Sequence, residues 1–332
     1  MRAKLVASAL VLAFAALPAA AQGRALADGS EASRALIAQA RAQTQQEPRL
    51  VVWRGRETAA FTSPSFDALP FDRAVLSWNA TGPALFELEA DGDGKWRIMG
   101  KWGPKPESVK GDGVDVDTLE LKAPAKSFRF RFTPAPGTVV TLAAVTTWTK
   151  GEKNPLSLKP SPSWGKTIDV PKRSQDTSEE DPAKVCSPTS LSMILQFYGV
   201  NKPTEEVASA VFDHASKLYG NWPFNTAYAH SAAGLEAYVR KFMGLEDLEA
   251  EIEAGRPVEI SHRWEKGELD GAPISRTDGH MIVVVGFTKD GDVVVNDPAA
   301  KPGTVRRVYK RAQIEKTWLV RGSGVAYVLR RL

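Results

Sequence analysis

The chain has 332 residues, of which 43% are hydrophobic and 25% are charged, as is usual for globular proteins. Its formal net charge is +4, and the sequence shows no basic cluster, so the charge pattern indicates no nucleic-acid partner. A single cysteine excludes an intramolecular disulfide and the zinc sites that need several thiolates. No stretch reaches the ~20 apolar residues that a membrane span needs.

The N-terminal residues have the pattern of an export signal. Arg2 and Lys4 precede an apolar run over residues 5–17, and small residues follow this run. This order is typical of a signal peptide, and the apolar run is too short to cross a membrane. We therefore expect residues 1–21 to be a signal peptide. The mature protein would begin near Gln22 and act in the periplasm or the medium.

Residues 22–48 are rich in Ala, Arg and Gln and are expected to form a helix or a flexible leader. Residues 49–149 contain a series of short apolar or alternating runs, separated by turn signals such as DGDG and PAPG. In SFRFRF, residues 127–132, phenylalanine alternates with arginine, which places the two residue types on opposite faces of a strand. Short strands at near-regular spacing predict an antiparallel β-sandwich.

Residues 150–166 contain three prolines and are predicted to be a semi-rigid linker. From residue 167 to residue 332, helical patterns come first and strand patterns follow, which predicts an α+β domain. The predicted helices cover residues 188–198, 204–216, 227–242 and 245–254. The predicted strands cover residues 257–261, 280–287, 292–296, 305–309 and 324–329.

The single cysteine, Cys186, directly precedes an amphipathic helix pattern. Pro188 suits the first turn of this helix, and Gly199 suits its end. At a helix N-terminus, unpaired N–H groups and the positive end of the helix dipole favour a thiolate, which lowers the pKa below the free value of about 8.5. Cys186 is therefore a candidate nucleophile, and the alternative is a small buried apolar residue.

A nucleophilic cysteine needs a base, and the base needs a group that orients it. His280 opens an apolar strand, and the returning strand of the same hairpin leads to Asp297 at the same end of the sheet. Gln175 and the backbone N–H of Cys186 are candidates for the donors that stabilise an oxyanion. Taken singly, His280 also fits a strand-end histidine, and Asp297 also fits a turn residue.

These segments resemble papain-like cysteine peptidases. Gln175, CSPTSLSMILQFYG, DGH before an apolar strand, and VNDPA are similar to the bacteriocin-processing, double-glycine family, cysteine peptidase family thirty-nine. The likeness spans roughly residues 170–329 and is greatest to an exported bacterial branch, in which a β-rich domain precedes the peptidase-like domain. It implies a papain-like domain in which Cys186 is the nucleophile, His280 the general base, Asp297 the orienting carboxylate and Gln175 the oxyanion donor.

Three further residues are candidates for substrate binding. Trp222 and Asn225 belong to the segment GNWPFN, whose side chains either contact substrate or pack within the loop. Ser187 stands where transporter-linked members of the family have glycine, so we expect it to shape the cleft beside the nucleophile.

We therefore expect an exported thiol-dependent hydrolase that acts on peptide or protein substrates through a Cys–His–Asp triad and needs no metal or organic cofactor. Two other functions fit the sequence: a non-catalytic protein that binds peptides or cell wall, and a peptidoglycan amidase or acyltransferase. The complete triad favours turnover, because a protein without catalytic function is free to lose any one of its members.

Overall fold

The structure, a computed structural model, describes residues 31–152 and 159–331. Two antiparallel β-sheets account for most of its strands, and most of the helices belong to the part of the chain that forms the second sheet. The predicted signal peptide, residues 1–21, lies outside the described residues, as do residues 153–158 of the predicted linker. Within the described ranges, no helix is both long enough and apolar enough to cross a membrane.

The first sheet follows a short helix, α1 (Glu31–Ala42), and contains nine strands. In chain order these are β1 (Thr44–Glu47), β2 (Leu50–Glu57), β3 (Phe61–Thr62), β4 (Phe66–Ala80), β5 (Ala84–Ala90), β6 (Arg97–Trp102), β7 (Val114–Asp115), β8 (Thr118–Pro134) and β9 (Val140–Trp148). The hydrogen-bonded order is β1-β2-β9-β4-β8-β5-β6, and β3 and β7 each pair with β8.

The strands are antiparallel as expected, but their pairing does not divide them into the two facing sheets of a sandwich. β4 pairs with β8 through residues 66–74 and with β9 through residues 73–80. β8 pairs with β4 through residues 119–128 and with β5 through residues 128–134. These two long, bulged strands join all nine strands into one sheet. β1 belongs to this sheet, which therefore begins before residue 49, the predicted domain boundary.

The alternation of SFRFRF within β8 is confirmed. Its three phenylalanines are 2% exposed or less. Arg129 and Arg131 point to the other face, where their guanidinium groups lie 5.0 and 4.4 Å from the ring centre of Trp96. The period-two pattern therefore separates the core of the first sheet from a charged and aromatic outer face.

The second sheet contains six strands in the order β10-β15-β11-β12-β13-β14, and all neighbouring pairs are antiparallel. The strands are β10 (Glu236–Lys241), β11 (Val258–Trp264), β12 (Thr277–Phe287), β13 (Val293–Asn296), β14 (Arg306–Tyr309) and β15 (Val325–Arg330). The helices are α2 (Cys186–Phe197), α3 (Thr204–Val211), α4 (Trp222–Ala233), α5 (Leu245–Glu253) and α6 (Arg311–Ile314), which continues into a π-helical stretch, Glu315–Val320. The predicted α+β class is confirmed.

The helix predicted at residues 227–242 is wrong in its second half. α4 ends at Ala233, because Gly234 adopts the left-handed conformation with φ of 66°. β10 follows, and its sequence EAYVRK contains aromatic and β-branched side chains that favour strand structure. All six of its residues pair with β15, so tertiary pairing decides between helix and strand here.

The outer edge of β10 is covered by side chains of the first sheet. Asn79 Nδ2 donates to the carbonyl oxygen of Ala237 at 2.6 Å, and Asn79 Oδ1 accepts from the N–H of the same residue at 3.1 Å. The hydroxyls of Ser77 and Thr146 accept from two further backbone N–H groups of the strand. An edge strand presents unpaired backbone groups, so these side chains join the two sheets and satisfy four backbone groups of that edge.

Aromatic packing continues the contact between the two sheets. Trp78 of β4 stacks on Phe86 with ring centres 4.1 Å apart and meets Phe224 of α4 at 6.1 Å. A single cluster of buried apolar residues therefore includes the first sheet, α2, α4 and one face of the second sheet.

We expect Asn79→Ala to lower the free energy of unfolding by about 2–4 kcal/mol, because it leaves two buried backbone groups of Ala237 without partners. Urea unfolding of the purified protein measures this loss. Asn201→Ala, the same substitution at an exposed asparagine, serves as the matched control and should change the free energy of unfolding by at most ~1 kcal/mol. Equal losses in the two variants would contradict a role for Asn79 at the β10 edge.

Candidate active site at the start of helix α2

Cys186 is the first residue of α2, where the sequence places it. Its side chain is partly exposed, while the residues on either side of it are buried. The backbone N–H groups of Ser187 and Met281 donate to the sulfur. These two bonds and the positive end of the helix dipole stabilise the thiolate over the thiol.

His280 lies near the start of β12 and is only 3% exposed. Its Nε2 is 2.8 Å from Oδ1 of Asp297, and its side chain also forms a hydrogen bond with the Cys186 thiol. Asp297 directly follows β13, which pairs with β12 as the expected hairpin. The structure therefore brings Cys186, His280 and Asp297 together in a chain of hydrogen bonds.

Asp297 is completely buried and has partners on both carboxylate oxygens. Oδ1 also accepts from the backbone N–H of Ala299 at 3.0 Å, and Oδ2 accepts from the hydroxyl of Tyr309 at 2.6 Å. Burial raises the pKa of this carboxyl group, but the charge of His280 and the hydrogen bonds outweigh burial and lower the pKa to about 2. Asp297 is therefore ionised throughout the neutral range.

The ionisation of Cys186 and that of His280 depend on each other. Burial lowers the pKa of His280, but the charge and hydrogen bond of Asp297, together with Cys186, raise it to about 10. Burial raises the pKa of the Cys186 thiol, but the hydrogen bond and charge of His280 bring it below the usual value. Between these two pKa values the pair exists as thiolate and imidazolium.

A buried polar network lies next to Cys186 and includes Ser187. Ser187 Oγ is 3.1 Å from Glu259 Oε1 and 3.2 Å from the hydroxyl of Tyr327, and all three residues are fully buried. Burial raises the pKa of Glu259 well above its usual value, and the charge of Cys186 raises it further, against the opposing bond from Ser187. Burial therefore favours the neutral form of Glu259, which places no second negative charge beside the thiolate.

His262 lies next to His280 in the wall of the site. The two residues are opposite each other on β11 and β12, and their ring centres are 5.9 Å apart. Burial, and then the charge of His280, lower the pKa of His262 to about 3, so this ring stays neutral. Trp264 approaches His280 edge-on with ring centres 5.8 Å apart and shields it from solvent.

Tyr309, Glu259 and His262 are the site residues that sequence reasoning missed. Each reaches the site through strand register: Tyr309 lies on β14 opposite Val293 of β13, and His262 lies opposite His280. The linear sequence offers no local motif for these contacts. Among the described residues, no group of three or more His, Cys, Asp or Glu side chains is arranged to hold a metal ion.

Of the three predicted substrate contacts, the structure brings Trp222 to the cleft and places the other two in the interior. Trp222 is partly exposed, and its backbone N–H donates to Asp117 Oδ2 at 2.9 Å. Asn225 is fully buried, and its Nδ2 donates at 2.8 Å to the backbone oxygens of Tyr219 and Asn221. The expectation of substrate contact is corrected for Asn225 and for Ser187, because both side chains bind protein groups away from the cleft surface.

Gln175 begins a single 3₁₀ turn, Gln175–Thr177, and is 8% exposed. Its backbone N–H donates to the carbonyl oxygen of Pro298 at 2.8 Å, which fixes the turn beside Asp297. Its Oε1 is buried and has no hydrogen-bond partner among the described residues. Gln175 is not among the residues that line the cleft at Cys186, and its role as oxyanion donor stays a prediction.

The cleft at Cys186 and His280 lies between the two sheets and has a volume of about 770 Å³, within the range of ligand-binding clefts. The first sheet supplies one wall through residues 115–118, at the turn between β7 and β8, and residues 148–152 after β9. Val116, at the tip of the turn, has φ of 61°, a strained conformation for a β-branched residue. Such strain persists where the surroundings hold it and is frequent beside ligand sites.

We expect iodoacetamide to alkylate Cys186 in the folded protein well below pH ~8.5, the pKa of a free thiol, because His280 stabilises the thiolate. The pH dependence of the alkylation rate, followed by intact mass, measures this. His280→Ala should move the rising part of the profile to higher pH, whereas His214→Ala, at a histidine that does not line the cleft, should leave it in place. A thiol that reacts only after unfolding would contradict the arrangement.

Comparisons with known proteins concern the second sheet and its helices. Residues 167–325 match the family described as Peptidase_C39 like. A protein from Bacillus anthracis assigned to the C39-like peptidases is 19% identical, with a TM-score of 0.38 over 50% of this chain and 98% of its own. The peptidase domain of Streptococcus ComA, a bifunctional ABC transporter involved in a quorum sensing pathway, is 16% identical. The match has a TM-score of 0.30 and covers 45% of this chain and 93% of the ComA domain. No curated protein matches the chain. The family match covers the segments that carry the sequence resemblance, so residues 167–325 are similar to the C39 peptidases.

Proposed function

We propose that this chain is a cysteine peptidase that hydrolyses amide bonds in peptide or protein substrates. The observation that carries the proposal is the chain of hydrogen bonds from Cys186 through His280 to Asp297, which opens into the cleft between the sheets. The match to a peptidase family over residues 167–325 supports the same chemistry.

In the proposed acylation step, the Cys186 thiolate attacks the carbonyl carbon of the scissile bond, and the carbonyl electron pair moves onto oxygen. The oxyanion forms beside the N-terminus of α2, where the backbone N–H of Cys186 is one proposed donor and Gln175 the other. The His280 imidazolium then gives its proton to the leaving amine, while Asp297 holds the ring in place.

In the proposed deacylation step, neutral His280 takes a proton from water, and the resulting hydroxide attacks the thioester. The carbon–sulfur bond breaks, the carboxylic acid leaves, and the thiolate–imidazolium pair is restored. Tyr309 acts indirectly, because its bond to Asp297 fixes the carboxylate that orients His280. The residues in this scheme need no redox partner, since each step exchanges only protons and acyl groups.

Cys186→Ala is expected to lower kcat/KM at least ~1000-fold without changing the thermal unfolding temperature, because it removes the nucleophile and little packing. The wild-type rate should rise with pH as the thiolate forms. It should fall as pH passes the value of about 10 at which His280 loses its proton. Release of peptides from an unfolded protein and from purified cell wall, followed by mass spectrometry, measures this activity.

The same assay separates the alternative functions. Release of fragments from cell wall alone would favour a peptidoglycan amidase, and transfer of the acyl group to an added amine would favour an acyltransferase. Saturable binding to either material with no release by the wild-type protein would indicate a binding protein and overturn the peptidase proposal.

We further propose that the protein acts outside the cytoplasm, in the periplasm or the medium, because residues 1–21 have the charge and apolar pattern of a signal peptide. When the full chain is expressed in a bacterium, the exported form should begin near Gln22. Intact mass of the protein from the cytoplasmic and exported fractions measures this. A full-length chain that accumulates only in the cytoplasm would contradict the proposal.

A further inference from the structure

Lys241, the last residue of β10, is a buried cation without a bound partner. The residue is 5% exposed, and its Nζ has no hydrogen bond or ion pair with any residue in the described ranges. The nearest carboxylates are engaged elsewhere. Glu152 binds Arg49 at 2.6 Å, and Asp247 accepts from the N–H of Met243 at 2.7 Å.

The charge of Lys241 is therefore poorly compensated within the protein. Burial lowers the pKa of Lys241, Glu152 and Asp247 raise it, and Arg49 lowers it, so that the resulting pKa is about 8. The ammonium form still predominates at neutral pH. A buried charge without a partner is unfavourable, and in a cleft it is typical of a ligand site.

Strand register places Lys241 on the face of the second sheet that carries Cys186. Lys241 lies opposite Val325, and the adjacent pairs extend this row through Ser261 to Met281. Directly opposite residues of neighbouring strands point to the same face. Met281 is the residue whose N–H donates to the Cys186 sulfur, so one row of residues connects the nucleophile with the lysine.

The lysine also lines the same cleft as Cys186. A Cβ atom added to Gly324 would lie 2.5 Å from Lys241 Nζ, so this glycine leaves space for the ammonium. Residues 148–152 of the first sheet also line this cleft. The ammonium group and Cys186 thus face one cleft and are separated by the row of residues from Met281 to Lys241.

We propose that Lys241 binds a carboxylate of the substrate, about four residues of extended chain from the bond that Cys186 attacks. Three strand spacings of about 4.8 Å separate Met281 from Lys241, a distance of about 14 Å. An extended peptide advances about 3.3 Å per residue and would cover this distance with about four residues. The single positive charge of the Lys241 ammonium group is complementary to the single negative charge of one carboxylate. The carboxylate comes either from an acidic side chain or from the C-terminus of the substrate.

This inference rests on the proposed peptidase function, and its test uses matched peptide pairs. One set carries Glu or Gln at each position up to four residues on either side of the cleavage site. The other set ends, at the same distances, in a free carboxylate or in an amide. The kcat/KM ratio within a pair should favour the carboxylate about 10-fold or more at one position in the wild-type protein.

Lys241→Met should reduce this ratio to about 1. Methionine has a similar length and is apolar, so it fills the buried position without a charge. Lys301→Met, at an exposed lysine that does not line the cleft, is the matched control and should retain the wild-type ratio. If Lys241→Met does not fold, Lys241→Gln takes its place. A ratio that stays at the wild-type value in the folded Lys241 variant would overturn the subsite.

Calorimetric binding of the same peptides to Cys186→Ala distinguishes failure of the subsite from failure of the peptidase proposal. A carboxylate preference in binding that depends on Lys241, with no turnover by the wild-type protein, supports the subsite and contradicts the peptidase. Turnover by the wild-type protein without such a preference supports the peptidase proposal and contradicts the subsite. No preference in either assay overturns the subsite.

Discussion

Asp297 carries a negative charge at a completely buried position, and the ionisation of the whole site follows from the way this charge is satisfied. An unpaired carboxylate there would cost several kcal/mol. His280 binds one of its oxygens and Tyr309 the other. Because the charge of Asp297 raises the pKa of His280, the imidazole keeps its proton and the Cys186 thiol loses one. A buried carboxylate thereby controls the ionisation of Cys186 through an intervening ring.

Two further titratable groups beside this pair stay neutral. An ionised Glu259 would repel the thiolate, and a protonated His262 would compete with His280 for the charge of Asp297. Burial without a counter-ion disfavours the charged form of either group, and the pKa shifts of both residues have that direction. The charged groups of the site are therefore Cys186, His280 and Asp297, because their partners outweigh the effect of burial.

Local patterns were enough to predict the placement of Cys186 at a helix start and of His280 and Asp297 at one end of a hairpin, because each depends on neighbours in sequence. Contacts across strands distant in sequence could not be predicted. Tyr309 lies opposite Val293, four residues before Asp297, and its hydroxyl still reaches the carboxylate. The sequence predicts cleft positions for Ser187, because transporter-linked members of the family have glycine there, and for Asn225, because it belongs to the segment GNWPFN. Helix packing turns both side chains inward, where protein groups bind them.

The first sheet shapes the site through β10. Asn79 and Thr146 bind backbone groups of this edge strand, and the bond from Thr146 is to the N–H of Lys241 itself. Residues 148–152, which come shortly after Thr146 at the end of β9, line the same cleft as the lysine. Without the first sheet, the edge of β10 would lose these partners and the cleft would lose a wall. The bond from Thr146 that satisfies the strand edge is therefore also the bond that fixes the backbone of Lys241 beside the cleft.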